Sequence, residues 1–151
     1  MQIVDLVFGP HCRDVRFFVQ RAGCGFPSPA ADYIEERLSL DRLLVKEPAA
    51  TFFLRVNGTS MRRAGIHPSD IIVCDRSSEA RVGDIVVATV DAELVVKRLV
   101  RGPAGGLALA SEPFPEDEAH LRQLVPREGS QIDIWGKVTA GIHLFRRLAE
   151  R

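Results

Sequence analysis

Residues 84–100, with the sequence DIVVATVDAELVVKRLV, contain two short apolar runs separated by Asp91 and Ala92. Runs of this length that are rich in β-branched residues and bounded by turn residues predict strands. Outward from this segment, the sequence predicts further strands at residues 51–57, 70–75, 107–110 and 132–140. Many short strands at close spacing, with little helix, predict a compact, mainly β domain in which an antiparallel sheet folds on itself.

The helical part of the chain is predicted at residues 30–46, in two pieces. Ile34 and Leu38 have the spacing of one helix face. Ser39 is a suitable N-cap for a second piece, and Pro48 ends it. We therefore expect a minor helical contribution that precedes the strands.

Residues 1–23 form a short N-terminal arm. A segment of this size is too small to fold alone, so it is a docked or mobile appendage. Within it, residues 14–21 fit a helical turn and a strand equally well. The following residues 23–29, GCGFPSP, combine glycines with prolines and predict an accessible, extended linker.

The composition excludes several classes of protein. The chain has 151 residues, 46% hydrophobic and 26% charged, as in one ordinary globular domain. Its 20 Lys and Arg residues balance 20 Asp and Glu residues, which argues against a protein that mainly coats nucleic acid. The longest clean apolar stretch, residues 85–90, is far below the ~20 residues of a membrane span, and no secretory signal is visible. Three cysteines without CxxC spacing argue against a disulfide framework or a zinc site and indicate the cytoplasm.

A candidate nucleophile follows the strand predicted at residues 51–57. The tetrapeptide Gly58-Thr59-Ser60-Met61 leaves this strand and enters a turn. A serine at such a strand exit can present its hydroxyl beside backbone N–H groups, as in an oxyanion hole. By itself the tetrapeptide is more typical of an ordinary turn. A Ser–His–Asp triad is poorly supported, because no G-x-S-x-G elbow surrounds the serine and the four histidines form no pattern.

Lys97 is the better candidate for a base. Its neighbours on the same face of the predicted strand are Val95 and Leu99, so apolar side chains are expected around the amine. Burial disfavours the ammonium form and lowers the pKa of a lysine from about 10.4 towards neutral pH. A neutral amine can accept the proton of the Ser60 hydroxyl, which is the Ser–Lys variant of nucleophilic catalysis. Taken alone, Lys97 is also typical of a strand lysine whose amine extends into solvent.

Four short segments resemble one known family in their order along the chain. They are residues 24–33 (CGFPSPAADY), 58–61 (GTSM), 83–86 (GDIV) and 95–97 (VVK). The first resembles the cleavage region, and the others resemble the conserved blocks, of the LexA/UmuD family of self-cleaving Ser–Lys peptidases (S24 type). GTSM alone is a weak signal, whereas the combination is specific, and the resemblance extends over about residues 23–145.

The resemblance implies a role for each matching residue. Ser60 would be the nucleophile and Lys97 the general base, with the backbone N–H groups of Ser60 and Met61 as the oxyanion hole. The scissile bond would join Cys24 and Gly25, and Gly25 has no side chain to obstruct attack on the carbonyl of Cys24. No cofactor and no metal are implied.

The resemblance also implies a domain division and a fold. Self-cleavage would separate an N-terminal arm, residues 1–24, from a Ser–Lys peptidase domain, residues 25–151. That domain would have the mainly β fold of LexA and signal peptidases. The residues before Cys24 are too few for an N-terminal helix-turn-helix domain, so no sequence-specific DNA binding is expected.

The implied function is that of a UmuD-like protein of the SOS response. A RecA–single-stranded DNA filament would stimulate self-cleavage, and the processed homodimer would serve a UmuC-like translesion polymerase as an accessory subunit. A non-catalytic dimeric adaptor with the same fold is the alternative. A signal peptidase would need a membrane anchor, and none is predicted. The acidic residues 112–118 are interpreted as a solvated loop.

Overall fold

The computed structural model describes residues 2–4, 15–18, 35–90, 92–103, 105–117, 123–124 and 132–145 of the chain. For the strands at 2–4, 15–18, 35–38 and 123–124 it describes the backbone alone. The chain divides into two compact units, Met1–Leu6 with Glu47–Arg151, and Val7–Lys46. Within the described ranges, no helix combines the length and the apolar character needed to cross a membrane.

The larger unit is built on one antiparallel sheet. The described strands are, in chain order, β1 (Gln2–Val4), β2 (Val15–Phe18), β3 (Glu35–Leu38), β4 (Thr51–Arg55), β5 (Ile71–Asp75), β6 (Ile85–Val90), β7 (Glu93–Arg101), β8 (Leu107–Ala110), β9 (Gln123–Leu124) and β10 (Asp133–Ile142). Eight of them form the sheet in the order β1-β4-β5-β10-β6-β7-β8-β9, and every neighbouring pair is antiparallel. The prediction of a mainly β, antiparallel fold is confirmed.

The C-terminal strand β10 connects the two halves of this sheet. Its first part pairs with β6 and its second part pairs with β5, with Lys137 opposite a residue on each side. The register shifts between Ile134 and Gly136 and again between Val138 and Ala140. Such bulges bend a strand and increase its twist, which here accompanies the change of partner along one strand.

The sheet buries apolar side chains in two clusters. The larger cluster contains Leu54, Val56, Met61, Ile66, Ile72, Cys74, Val87 and Val96. The smaller cluster contains Val86, Ala88, Leu99 and Leu109. Successive side chains of a strand point to opposite faces, so β6 and β7 each contribute to both clusters and are buried on both sides. This explains why residues 84–100 contain continuous apolar runs rather than a strict alternation.

The smaller unit gives a mixed outcome for the helix prediction. The second predicted piece is confirmed as α1 (Leu40–Leu44), whose N-cap Ser39 accepts a hydrogen bond from the N–H of Arg42 at 3.4 Å. The first piece is wrong within the described residues, because Glu35–Leu38 forms β3 and pairs with β2. A partner strand from the N-terminal arm overrides the local helical spacing.

Two short strands are absent from the sequence prediction. β1 pairs with β4, and β9 pairs with β8. Both are only two or three residues long and lie at the ends of the sheet, where pairing with a distant strand determines their conformation. A pattern of two residues has no period from which a strand is predictable.

Gly136 provides a test of the packing around β10. A Cβ on this residue would lie 2.5 Å from Cys74 Sγ and 3.0 Å from the carbonyl oxygen of Asp75. We expect Gly136→Ala to lower the free energy of unfolding by about 1–3 kcal/mol, because the core must shift to admit a methyl group. Urea-induced unfolding measures this change.

Gly141→Ala is the matched control, since a Cβ at that position of the same strand meets nothing within 4 Å. Its effect is expected to stay within about 0.5 kcal/mol. Equal effects of the two substitutions would contradict the packing described for Gly136.

Candidate active site

Ser60 lies in the loop that follows β4. The N–H of Arg62 donates to the carbonyl oxygen of Thr59 at 3.2 Å and closes the turn around the serine. The next side chain, Met61, is buried and anchors the loop in the larger core cluster. A short 3-10 helix then ends at Gly65, whose φ of +81° lies in the left-handed region that favours glycine. The loop is therefore held at both ends around Ser60.

Lys97 lies in the interior of the sheet, on β7 between β6 and β8. It is only 5% exposed, and the residue opposite it on β6 is Val86. Burial lowers the pKa of the Lys97 amine below its ordinary value, because the ammonium form loses its hydration. The apolar surroundings expected from the sequence are present, and the extension of the amine into solvent is excluded.

The structure brings these two side chains together. Lys97 Nζ and Ser60 Oγ are 2.6 Å apart, although the residues are separated by 37 positions in the chain. This is hydrogen-bond distance, and the lowered pKa of the amine favours the form that accepts a proton. A hydroxyl beside a buried amine with a lowered pKa has the geometry that a nucleophile and its base require.

Glu112 joins the serine loop to the lysine strand. Its N–H donates to the carbonyl oxygen of Ser60 at 2.7 Å, and its own carbonyl oxygen accepts from the N–H of Arg63 at 2.9 Å. Its carboxylate accepts two hydrogen bonds, at 2.7 and 3.2 Å, from the guanidinium of Arg98, which directly follows Lys97. The hydrogen bonds from Arg98 lower the pKa of the Glu112 carboxyl. One residue therefore links the backbone of Ser60 to the neighbour of Lys97.

The interpretation of residues 112–118 as a solvated acidic loop is wrong for two of its members. Besides Glu112, Asp117 is nearly buried and accepts hydrogen bonds from the guanidinium of Arg62 at 3.0 Å and from the N–H of Phe114 at 2.9 Å. Among the described acidic residues of this segment, Glu116 is the one that is largely exposed, as expected of a solvated loop. The local sequence does not predict these contacts, because Arg62 and Arg98 lie far from Asp117 and Glu112 in the chain.

The predicted block at residues 83–86 consists of a turn at Gly83 and Asp84, which is hydrogen-bonded to β7, and of the first two residues of β6. The N–H of Gly83 donates to the carbonyl oxygen of Leu99, and the N–H of Leu99 donates to the carbonyl oxygen of Asp84. Arg98 also donates to the carbonyl oxygen of Gly83 at 2.8 Å. Glycine is required there because its φ is +100°, and the carboxylate of Asp84 accepts from the N–H of Arg81. The turn thus fixes the strand that carries Lys97.

A cleft of about 150 Å³ opens beside the serine and the lysine. Its lining consists of Val56, Gly58, Ser60, Met61, Leu94, Val95, Val96 and Lys97. Among the hydrogen bonds of the described residues, the backbone N–H groups of Ser60 and Met61 donate to no protein acceptor. Both residues line the cleft, and the assignment of their N–H groups to an oxyanion hole stays a prediction.

The described histidines meet each other rather than Ser60. His143 Nδ1 lies 2.6 Å from a carboxylate oxygen of the buried Asp70, and the N–H of His67 donates to the other oxygen at 2.8 Å. These three residues are the group in the described part of the chain that could hold a metal ion, with one ligand atom from each within 4.8 Å of the others. Asp70 is already hydrogen-bonded to both histidines, and its carbonyl oxygen accepts at 2.9 Å from the N–H of Val56, which lines the cleft.

Several sequence predictions concern other residues. Cys74 is a buried free thiol, and its burial raises its pKa to about 12. Cys24 and Gly25, the predicted scissile pair, lie outside the described residues. The boundary between an arm of residues 1–24 and a domain of residues 25–151 stays a prediction.

Comparison with known proteins gives consistent matches. A family model described as Peptidase S24-like matches residues 17–139. Protein ImpA of Salmonella typhimurium is 44% identical over 131 residues, which cover 87% of this chain and 85% of ImpA. Protein MucA of Escherichia coli is 40% identical over 125 residues, which cover 83% of this chain and 82% of MucA. The LexA repressor of Azoarcus sp. (strain BH72) is 44% identical over 97 residues, which cover 64% of this chain and 48% of the repressor.

The buried amine is open to direct measurement. We expect Lys97 in the folded protein to titrate below the ordinary lysine pKa of about 10.4, because burial disfavours its charged form. The Cε chemical shift of isotope-labelled lysine, followed by NMR during a pH titration, reports this pKa. With only three lysines in the chain, the variant Lys97→Met assigns the signal.

The same titration in urea serves as the control, since unfolding returns the amine to water and to its ordinary pKa. Because the folded state then binds fewer protons than the unfolded state, stability rises with pH between the two pKa values. A Lys97 signal that titrates identically in folded and unfolded protein would contradict the burial.

Proposed function

The chain belongs to the peptidase S24-like family, and on this premise we propose that it cleaves its own peptide bond between Cys24 and Gly25. The family is one of self-cleaving serine peptidases, and the resemblance to LexA/UmuD proteins is confirmed by the matches. In the proposal Ser60 is the nucleophile and Lys97 is the general base. The observation that carries it is the 2.6 Å distance between Ser60 Oγ and the buried amine.

The first half of the proposed reaction is acylation. Lys97 Nζ takes the proton of the Ser60 hydroxyl while Oγ forms a bond to the carbonyl carbon of Cys24. The carbonyl oxygen becomes an oxyanion, which accepts hydrogen bonds from the N–H groups of Ser60 and Met61. The bond to the nitrogen of Gly25 then breaks, and the Lys97 ammonium protonates the departing amine. Residues 1–24 are left as an ester on Ser60.

Hydrolysis of the ester completes the reaction. The neutral amine of Lys97 takes a proton from water, and the resulting hydroxide attacks the ester carbonyl carbon of Cys24. When the bond to Oγ breaks, the proton on Nζ returns to Ser60, and residues 1–24 leave with a new carboxyl terminus. Every step requires an amine that alternates between its neutral and charged forms at one place, as the lowered pKa of Lys97 allows.

The biological role that we propose is that of a UmuD-like protein of the SOS response. The high identity to ImpA and MucA over most of each chain supports this assignment. A RecA–single-stranded DNA filament would stimulate the cleavage, and residues 25–151, as a homodimer, would join a UmuC-like translesion polymerase. These partners act in the bacterial cytoplasm, which is the compartment that we propose.

Incubation at alkaline pH tests the chemistry without any partner. We expect fragments of 24 and 127 residues, formed at a rate that rises with pH because the neutral fraction of Lys97 increases. Mass spectrometry identifies the fragments and gives the rate. Ser60→Ala and Lys97→Ala should each abolish cleavage while retaining the circular dichroism of the folded protein.

The control for these variants is Ser78→Ala, which removes an exposed hydroxyl bound to Asp75 and should cleave as the unmodified chain does. Normal cleavage by Lys97→Ala would show that another group is the base. Intact protein at every pH, together with co-purification of a polymerase, would favour the non-catalytic adaptor.

A second experiment tests the proposed stimulus. At neutral pH, where a smaller fraction of the Lys97 amine is neutral than in alkaline solution, we expect slow cleavage that accelerates at least about tenfold with RecA, ATP and single-stranded DNA. The control is a reaction with RecA and ATP but without DNA, because no RecA–single-stranded DNA filament then forms. Equal rates with and without DNA would contradict a role for the filament while leaving the alkaline reaction intact.

A further inference from the structure

Ser111, which follows β8, has an unusual buried hydroxyl. Among the described residues, its Oγ is the buried side-chain oxygen or nitrogen that has no hydrogen-bond partner. The residue is only 8% exposed. Buried polar groups are almost always paired, because an unpaired one loses its bonds to water without replacement. An exception in a folded chain therefore needs a functional or structural reason.

The position of Ser111 is set by its two neighbours. Ala110 lies opposite Arg98 in the β7–β8 register, so continuing this register by one residue places Ser111 opposite Lys97. On the other side, the N–H of Glu112 binds the carbonyl oxygen of Ser60. Ser111 therefore lies between Ala110, which pairs with β7, and Glu112, which is hydrogen-bonded to the loop of Ser60.

The alternation of side chains gives the direction of the hydroxyl. Glu112 binds Arg98, so both lie on one face of the sheet, and Ser111 lies on the opposite face with Lys97. Residues directly opposite each other on antiparallel strands have Cβ atoms about 4.5–5.5 Å apart, within the range of a flexible lysine amine.

Among the described residues that line the cleft or lie opposite Lys97 on β6, none besides Lys97 itself is charged. The residue opposite it on β6 is Val86, and the other residues that line the cleft, apart from Ser60, are apolar or glycine. The nearest charged pair, Arg98 with Glu112, occupies the other face of the sheet. When the amine takes the proton of Ser60, it becomes an ammonium with three N–H donors in a site that has few acceptors.

We propose that the hydroxyl of Ser111 accepts a hydrogen bond from the Lys97 ammonium each time the amine is protonated during self-cleavage. The inference rests on the proposed Ser60–Lys97 reaction and adds a positioning residue to it. One proton moves from Ser60 Oγ to Nζ, an N–H of the ammonium turns to Ser111 Oγ, and the bond is released when the proton passes to the leaving amine. The Ser111 hydroxyl, which has no partner before the reaction, is then the acceptor for the ammonium form of Lys97.

The substitution Ser111→Ala tests this role by three measurements. Loss of the acceptor destabilises the ammonium, so the pKa of Lys97 should fall by about one unit in the NMR titration. The midpoint of the pH–rate profile for self-cleavage should move to lower pH by the same amount, and the rate on its alkaline plateau should fall about tenfold. Thermal stability should be unchanged or higher, because the resting state loses only an unpaired polar group.

Ser111→Thr keeps the hydroxyl and should restore the pKa and most of the rate, while Ser78→Ala should alter neither. An unchanged Lys97 pKa in Ser111→Ala overturns the inference, whether or not the protein cleaves. A lower rate with no shift of the pH profile and a loss of thermal stability would also overturn it, since that result indicates packing alone. Failure of the unmodified chain to cleave would reject the proposed reaction instead, and the inference with it.

Discussion

The whole arrangement depends on an amine held away from water at hydrogen-bond distance from a hydroxyl. A lysine on an exposed strand keeps its charge near neutral pH and cannot accept a proton. The pKa of Lys97 is lowered because β6 and β7 are covered on both faces by apolar clusters, so that the amine in the middle of β7 is desolvated. The double-sided burial is therefore a chemical requirement as well as a source of stability.

Burial of the amine alone does not bring a hydroxyl to it. Ser60 belongs to a loop, and loops are the more mobile parts of a fold. Glu112 removes this freedom with hydrogen bonds to the backbone of Ser60 and Arg63 and an ion pair to Arg98. Because Arg98 directly follows Lys97, Ser60 and Lys97 are linked through two residues, Glu112 and Arg98, rather than through the whole sheet.

The sequence predicts local features of this fold well and distant ones poorly. The apolar runs of residues 84–100 identify β6 and β7, and the same-face neighbours of Lys97 predict its burial. β3 is missed because its conformation depends on pairing with β2, and Glu112 is missed because its partners lie elsewhere in the chain. Ser60 is identified as a candidate nucleophile only through the family resemblance, since a serine in a turn has no distinguishing sequence pattern.

The alternation of a strand gives adjacent residues different tasks at this site. Ser111 and Glu112 are neighbours, yet the β7–β8 register continued by one residue places Ser111 opposite Lys97, whereas Glu112 binds Arg98. A slip of one residue between β7 and β8 would exchange the two, placing a carboxylate beside the Lys97 amine. A nearby negative charge favours the ammonium form, so it would raise the pKa that burial lowers. The register of these two strands thus sets the chemistry of the amine, and the bidentate pair between Arg98 and Glu112 is the contact that holds that register next to the site.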